Sequence, residues 1–177
     1  MDAAKKAKQL GKLREFSVQL AERIKSAPSR SNEPVRLAVR IGQASYLLPM
    51  AVAGEIVALP EIAPVPWTRP WYRGLANVRG RLVGVVDLQQ FAGRGPLPPE
   101  QSQQLLVIGE AMNLNAALLV TRAFGLRNLN DLESLGRAGD DAPAWETTRF
   151  RDLDGTVLTE LDLAALVRSE AFGQIAA

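Results

Sequence analysis

The sequence contains neither cysteine nor histidine. Without cysteine there can be no disulfide, no thiolate nucleophile and no thiolate-bound metal, which fits a reducing compartment. Without histidine there is no imidazole-activated serine, no His-ligated zinc and no side chain that ordinarily titrates near neutrality. An enzyme built on this chain would have to work with carboxylates, lysine, tyrosine or a Ser/Lys pair. No apolar run approaches the roughly 20 residues that span a bilayer, and the start lacks the apolar stretch of about 7 to 15 residues that marks a secretion signal. A cytoplasmic location without direct membrane insertion is the expectation. Nothing in the composition implies a cofactor or a metal.

What is present suits a folded domain. At 177 residues, with 47% apolar and 23% charged side chains, the chain can bury one sizeable core. Its net charge of +2 conceals an asymmetry: residues 1–30 hold eight Lys/Arg against three Asp/Glu, so the rest of the chain is net negative. All five lysines, Lys5, Lys6, Lys8, Lys12 and Lys25, lie in that first segment.

The periodicity divides the chain at Pro34. From Asp2 to Ala27, Leu10, Leu13, Phe16, Leu20 and Ile24 recur at steps of three and four, the spacing of a basic amphipathic helix. A polar linker with Pro28 and Pro34 ends it. Two readings of that helix stay open: it docks on the body through its apolar stripe, or it is an arm for a protein partner or a membrane surface. Residues 1–33 therefore form one unit, 34–172 a second, and 173–177 a short tail.

After Pro34 the pattern is that of strands. Val35–Ile41 and Ser45–Met50 read as a hairpin around Gly42-Gln43, followed by a strand over Val52–Leu59. Pro60, Pro64, Pro66 and Pro70 then stiffen a connection that cannot lie inside a sheet. A loop closing on Gly74-Leu-Ala-Asn-Val-Arg-Gly80 opens into Leu82–Leu88, an apolar run of the kind buried on both faces, with a possible helical turn over 89–92. Further strands are expected over 104–108, 115–120, 125–129, 144–150 and 156–160, and a helix over 162–168 with Leu163, Leu166 and Val167 on one face. Many short strands joined by Gly/Pro turns predict an all-β fold of small barrels or a sandwich.

Three separate patterns coincide in order and spacing: Val52-Ala-Gly-Glu-Ile56, Gly74-Leu-Ala-Asn-Val-Arg-Gly80 and Leu82-Val-Gly-Val-Val-Asp-Leu88. Together they resemble the CheW-like coupling domain of bacterial chemosensory systems. Within that family, the N-terminal extension, the Pro70-Trp71 to Arg79 motif and the lack of a kinase portion are similar to the PilI-type proteins of twitching motility. The resemblance implies two intertwined five-stranded, SH3-like barrels with a groove between them. It also implies a non-enzymatic adaptor that couples the cytoplasmic tip of a methyl-accepting receptor to the regulatory domain of a histidine kinase. Partner contacts would fall on Val52, Ala53, Glu55, Gly74, Leu75, Asn77, Arg79 and Val86. The chain departs from the family pattern at Gly84, where proline is common, and this puts in doubt the contact made by that strand.

The same residues admit plainer roles. Arg79 is expected to pair with Glu55, either as an internal brace or as part of a docking face. Gly74 and Gly80 suit backbone conformations that L-residues avoid, and Asn77 suits a loop-capping role. Asp87, at a strand end, is a better cap than a general acid, and the sequence singles out no second carboxylate for catalysis. Arg69, Arg73, Arg79 and Arg81 interleave with Trp67, Trp71 and Tyr72, the composition of a single-stranded nucleic-acid platform on a small barrel. That is the alternative function, although the net-negative body opposes it.

Overall fold

The computed structural model describes residues 34–98 and 103–177, so the expected helix over 2–27 lies outside the described residues. Twelve strands are described: β1 (Val35–Ile41), β2 (Ala44–Pro49), β3 (Ala53–Ala58), β4 (Ile62–Ala63), β5 (Tyr72–Val78), β6 (Arg81–Val86), β7 (Gln104–Ile108), β8 (Ala116–Val120), β9 (Arg122–Asn128), β10 (Glu133–Arg137), β11 (Glu146–Arg151) and β12 (Val157–Leu161). Three short helices join them: α1 (Leu88–Phe91), α2 (Leu163–Arg168) and α3 (Glu170–Gly173).

The strands form two six-stranded sheets, ordered β10-β11-β12-β2-β1-β9 and β3-β7-β8-β6-β5-β4. The chain begins in the first sheet, crosses to build the second, and returns at β9, which intertwines the two halves. In each sheet the two end strands are neighbours in sequence. Only Leu59, Pro60 and Glu61 separate β3 from β4, and only residues 129–132 separate β9 from β10. Each sheet must therefore curl until its ends approach, the geometry of a small barrel. In the first sheet the Arg127 guanidinium of β9 reaches Asp152, just beyond β11, at 2.7 Å. This is the all-β, SH3-like architecture expected, with six strands per sheet where five were implied.

β1 and β2 are the wall shared by two cores. Side chains alternate across a strand, and here both faces are covered. Leu37, Val39, Tyr46 and Leu48 join the main core with β5 to β8. Ala38 and Leu47 point the other way, to a small core with Leu132 and Leu158, flanked by Phe124 and Phe150.

Several local expectations change. Tyr72–Val78 is a strand where the glycine-rich motif reads as a loop, because Gly74, at φ +128°, sits in a register shift between Tyr72 and Gly74 and bulges the strand without ending it. The doubly buried run in β6 starts at Val83, since Leu82 is 63% exposed. β10 was not anticipated: Glu133-Ser-Leu-Gly-Arg137 is exposed and charged, an edge strand without an apolar stripe. The two-residue β4 lies between Pro60 and Pro64 at the opposite sheet's end, where prolines are tolerated. Beyond α3, the tail is hydrogen-bonded rather than free: the Arg69 amide donates to the Ile175 carbonyl at 2.8 Å, and the Ala177 amide to the Trp67 carbonyl at 2.9 Å. Among the described residues, no helix is long and apolar enough to cross a membrane.

Candidate functional site

The β5–β6 hairpin projects the motif. Val78 pairs with Arg81, so Arg79 and Gly80 alone make the turn. Their φ values of +51° and +85° are those that a two-residue hairpin turn requires at both central positions. Asn77 Oδ1 accepts the Gly80 amide at 2.8 Å, which fixes the turn. The turn aims the Arg79 guanidinium at β3, where Nη2 lies 3.0 Å from Glu55 Oε2. The side chains are 78% and 39% exposed. An ion pair this open is worth less than about 1 kcal/mol of stability. The pair is thus a surface feature, and loss of one member does not strand a buried charge.

The eight sequence-predicted positions separate by exposure. Glu55, Leu75, Asn77 and Arg79 offer surface around the hairpin. Val52 is half-buried and lines a cleft of about 250 Å³ between the β2–β3 turn, the end of β12 and the start of α2, where Pro49, Leu161 and Leu163 are joined by Thr147, Glu160 and Asp162. Gly74 is buried, and a Cβ there would run into the Ala63 carbonyl, so its role is to let β4 approach β5. Ala53 and Val86, at 7% and 2% exposure, belong to the main core. Their side chains pack into the core rather than offering surface.

Gly84 resolves into a packing requirement. β6 lies between β5 and β8, not at an edge. The Gly84 amide donates to the Asn115 carbonyl at 2.9 Å, and the Tyr72 ring occupies the space that a Cβ would need.

A second polar cluster was not anticipated. The Tyr46 hydroxyl on β2 donates to Glu146 Oε1 on β11 at 2.7 Å. Arg94, from the loop after α1, clasps both oxygens of Glu146 at 2.7 and 3.0 Å and also reaches the Tyr46 hydroxyl at 2.6 Å. Burial raises the Tyr46 pKa above the usual phenol value, and the Glu146 carboxylate beside it pushes the same way. The bond to Glu146 raises the Arg94 pKa in turn. Asp87 sets up this clasp. Fully buried, it accepts the Gln90 amide at 3.0 Å as the cap of α1 and the Leu97 amide at 2.9 Å, folding the Arg94 loop back onto the helix. With both oxygens so engaged, Asp87 is a structural cap as expected. The only sequence signal for this cluster is a charged residue, Glu146, inside a strand pattern.

Folding engages part of the arginine and aromatic ladder, while Arg69, Arg73, Arg79 and Arg81 all stay exposed. Arg73 approaches Asp87 at 3.9 Å, Arg79 pairs with Glu55, and Arg81 meets Glu110 at 3.4 Å. Trp71 stacks on Phe172 at 5.8 Å and meets Phe91 edge-on at 5.0 Å, while Tyr72 covers Gly84. Trp67 alone of these aromatics is open, at 88% exposure.

Comparison with known proteins agrees with this arrangement. The CheW-like domain model matches residues 36–171, and the chain belongs to the CheW-like domain family. It is 34% identical over 89 residues to protein PilI of Pseudomonas aeruginosa, an alignment covering 50% of this chain and 49% of PilI. The chain thus matches about half the length of that relative. It is 26% identical over 112 residues to the chemotaxis protein CheW of Thermotoga maritima, covering 63% of this chain and 73% of that protein. Among solved structures, the scaffolding protein TtCheW of Thermoanaerobacter tengcongensis superposes with a TM-score of 0.63 at 18% identity, over 77% of this chain and 94% of that one.

Proposed function

We propose that this chain is a cytoplasmic, non-catalytic adaptor that couples a methyl-accepting receptor tip to the regulatory domain of a histidine kinase, in a chemosensory pathway controlling type IV pilus twitching motility. Family membership supports the adaptor class, and the similarity to PilI supports the pilus branch. The observation that carries the reading is the presence of two separate surfaces. One is the solvent-exposed Arg79–Glu55 hairpin face and the other the cleft of apolar and acidic residues that includes Val52. The sheet ends β3, β4, β9 and β10 add backbone groups for a docking kinase. Signalling then arises by differential binding, because a protein that contacts two partner states equally shifts neither. Association with the membrane would run through the receptor and not through this chain.

The test is capture by the immobilised full chain of a chemosensory kinase regulatory domain and a receptor cytoplasmic fragment, with single-stranded oligonucleotide as competitor and with residues 1–33 present or removed. Capture of both proteins, undisturbed by oligonucleotide, is the expected result. Oligonucleotide binding that weakens steeply with salt, with neither protein captured, would overturn the reading in favour of the nucleic-acid alternative.

A further inference from the structure

Trp67 stands apart from the rest of the described surface. At 88% exposure it is the one aromatic among the exposed large apolar side chains of the described residues. Its backbone also lies in the left-handed region, at φ +61°, where a bulky side chain is strained. Arg79 and Asn113 share that region, and each has a local reason. Arg79 makes the hairpin turn, while Asn113 ends the 3₁₀ turn over Glu110–Met112 and is of a type that tolerates the conformation. Trp67 buries almost nothing in return for its strain, so fold stability does not account for it. Backbone strain of this kind collects at functional sites.

The surrounding chain fixes the indole outward. Pro66 precedes Trp67, Pro70 closes the loop, and the Thr68 hydroxyl donates to the Val65 carbonyl at 2.8 Å. Thr68 bridges to Ala176, with the Ala177 amide on the Trp67 carbonyl to one side and the Arg69 amide on the Ile175 carbonyl to the other. A side chain carried on a backbone held at so many points loses little entropy when a partner covers it, and tryptophan is among the residues that most often anchor interfaces. The loop leaves β4, an end strand of the second sheet, so the indole extends the sheet end that offers backbone groups to a docking kinase. It is separate from the Arg79 turn, which lies at the other end of Tyr72–Val78, a strand length of about 20 Å away.

We propose that Trp67 is the anchor for the kinase regulatory domain, its indole entering an apolar pocket of that domain beside β4. The inference rests on the adaptor reading and adds to it which partner this end of the second sheet holds.

The test is calorimetric titration of the full chain with a chemosensory kinase regulatory domain and, separately, with a receptor cytoplasmic fragment. Trp67→Ala should weaken binding of the kinase domain about thirtyfold, the loss expected for an aromatic anchor, and leave the receptor fragment's affinity and the thermal midpoint unchanged. Leu153→Ala, which removes a similarly exposed apolar side chain from the β11–β12 turn, should alter neither affinity. In the parent complex with the kinase domain, iodide should no longer quench the Trp67 emission. Trp67→Phe identifies that signal by its loss, because Trp145 is buried and Trp71 is packed against Phe91 and Phe172. Kinase binding left intact by Trp67→Ala would overturn the inference while the adaptor reading stood. A loss shared by the receptor fragment, or accompanied by a lower thermal midpoint, would overturn it in the same way. Binding of neither protein by the parent would remove the adaptor reading and this inference with it.

Discussion

Arg79 and Glu55 meet at 3.0 Å across the space between a hairpin turn and an end strand, with most of the guanidinium in solvent. Because so open a pair adds less than about 1 kcal/mol to stability, it can be altered without unfolding the chain. Arg79→Glu should leave the thermal midpoint within a few degrees of the parent while reducing capture of at least one protein partner about tenfold or more. Calorimetry and titration on the same sample check both parts. A folded variant that assembles normally with both partners would remove Arg79 from the docking face.

The Tyr46–Glu146–Arg94 cluster predicts the opposite balance. Arg94→Ala leaves the buried Glu146 without its guanidinium and should cost about 3 kcal/mol, the low end for a broken buried pair because Arg94 itself is 40% exposed. Tyr46→Phe removes one hydroxyl and should cost about 1 to 2 kcal/mol. Denaturant unfolding of both variants measures these losses.

Alkaline pH should also destabilise the chain through Tyr46. Its folded pKa lies above the ordinary phenol value of about 10, so above that pH the unfolded state releases a proton that the folded state keeps. The resulting stability is complete below pH 10 and declines as pH rises from there toward the folded value. A pH series of unfolding free energies should fall more steeply above pH 10 in the parent than in Tyr46→Phe.

Two glycines of one motif should respond differently to alanine. Gly74 has φ +128° and no room for a Cβ against the Ala63 backbone, whereas Gly80 has φ +85° with open space around it. Gly74→Ala should cost upwards of about 2 kcal/mol and Gly80→Ala about 1 kcal/mol. Equal losses would show that the approach of β4 to β5 does not depend on Gly74.

Strands with a simple apolar period were legible before folding was considered: β1, β2 and β7 fall within a residue of their expected limits, and α2, at Leu163–Arg168 behind an Asp162 cap, falls within the helix expected over 162–168. β5 was not legible, because a bulge at Gly74 looks like a loop when only residue types are read. The Arg79–Glu55 pair was readable from motif resemblance. By contrast, the burial of Ala53 and Val86 depends on which face the other strands cover. The Tyr46–Glu146–Arg94 cluster joins residues 48, 52 and 100 positions apart, and no local pattern encodes such a meeting. It exists because curling of the sheet brings β11 near β2 and because Asp87 folds the Arg94 loop inward.

The adaptor reading requires one molecule of this chain to hold two different proteins at once. Sedimentation of the full chain with a chemosensory kinase regulatory domain and a receptor cytoplasmic fragment, singly and together, measures that directly. The account predicts a ternary species containing all three, diminished by Arg79→Glu. Binding of neither protein, or strict exclusion of one by the other, would contradict it.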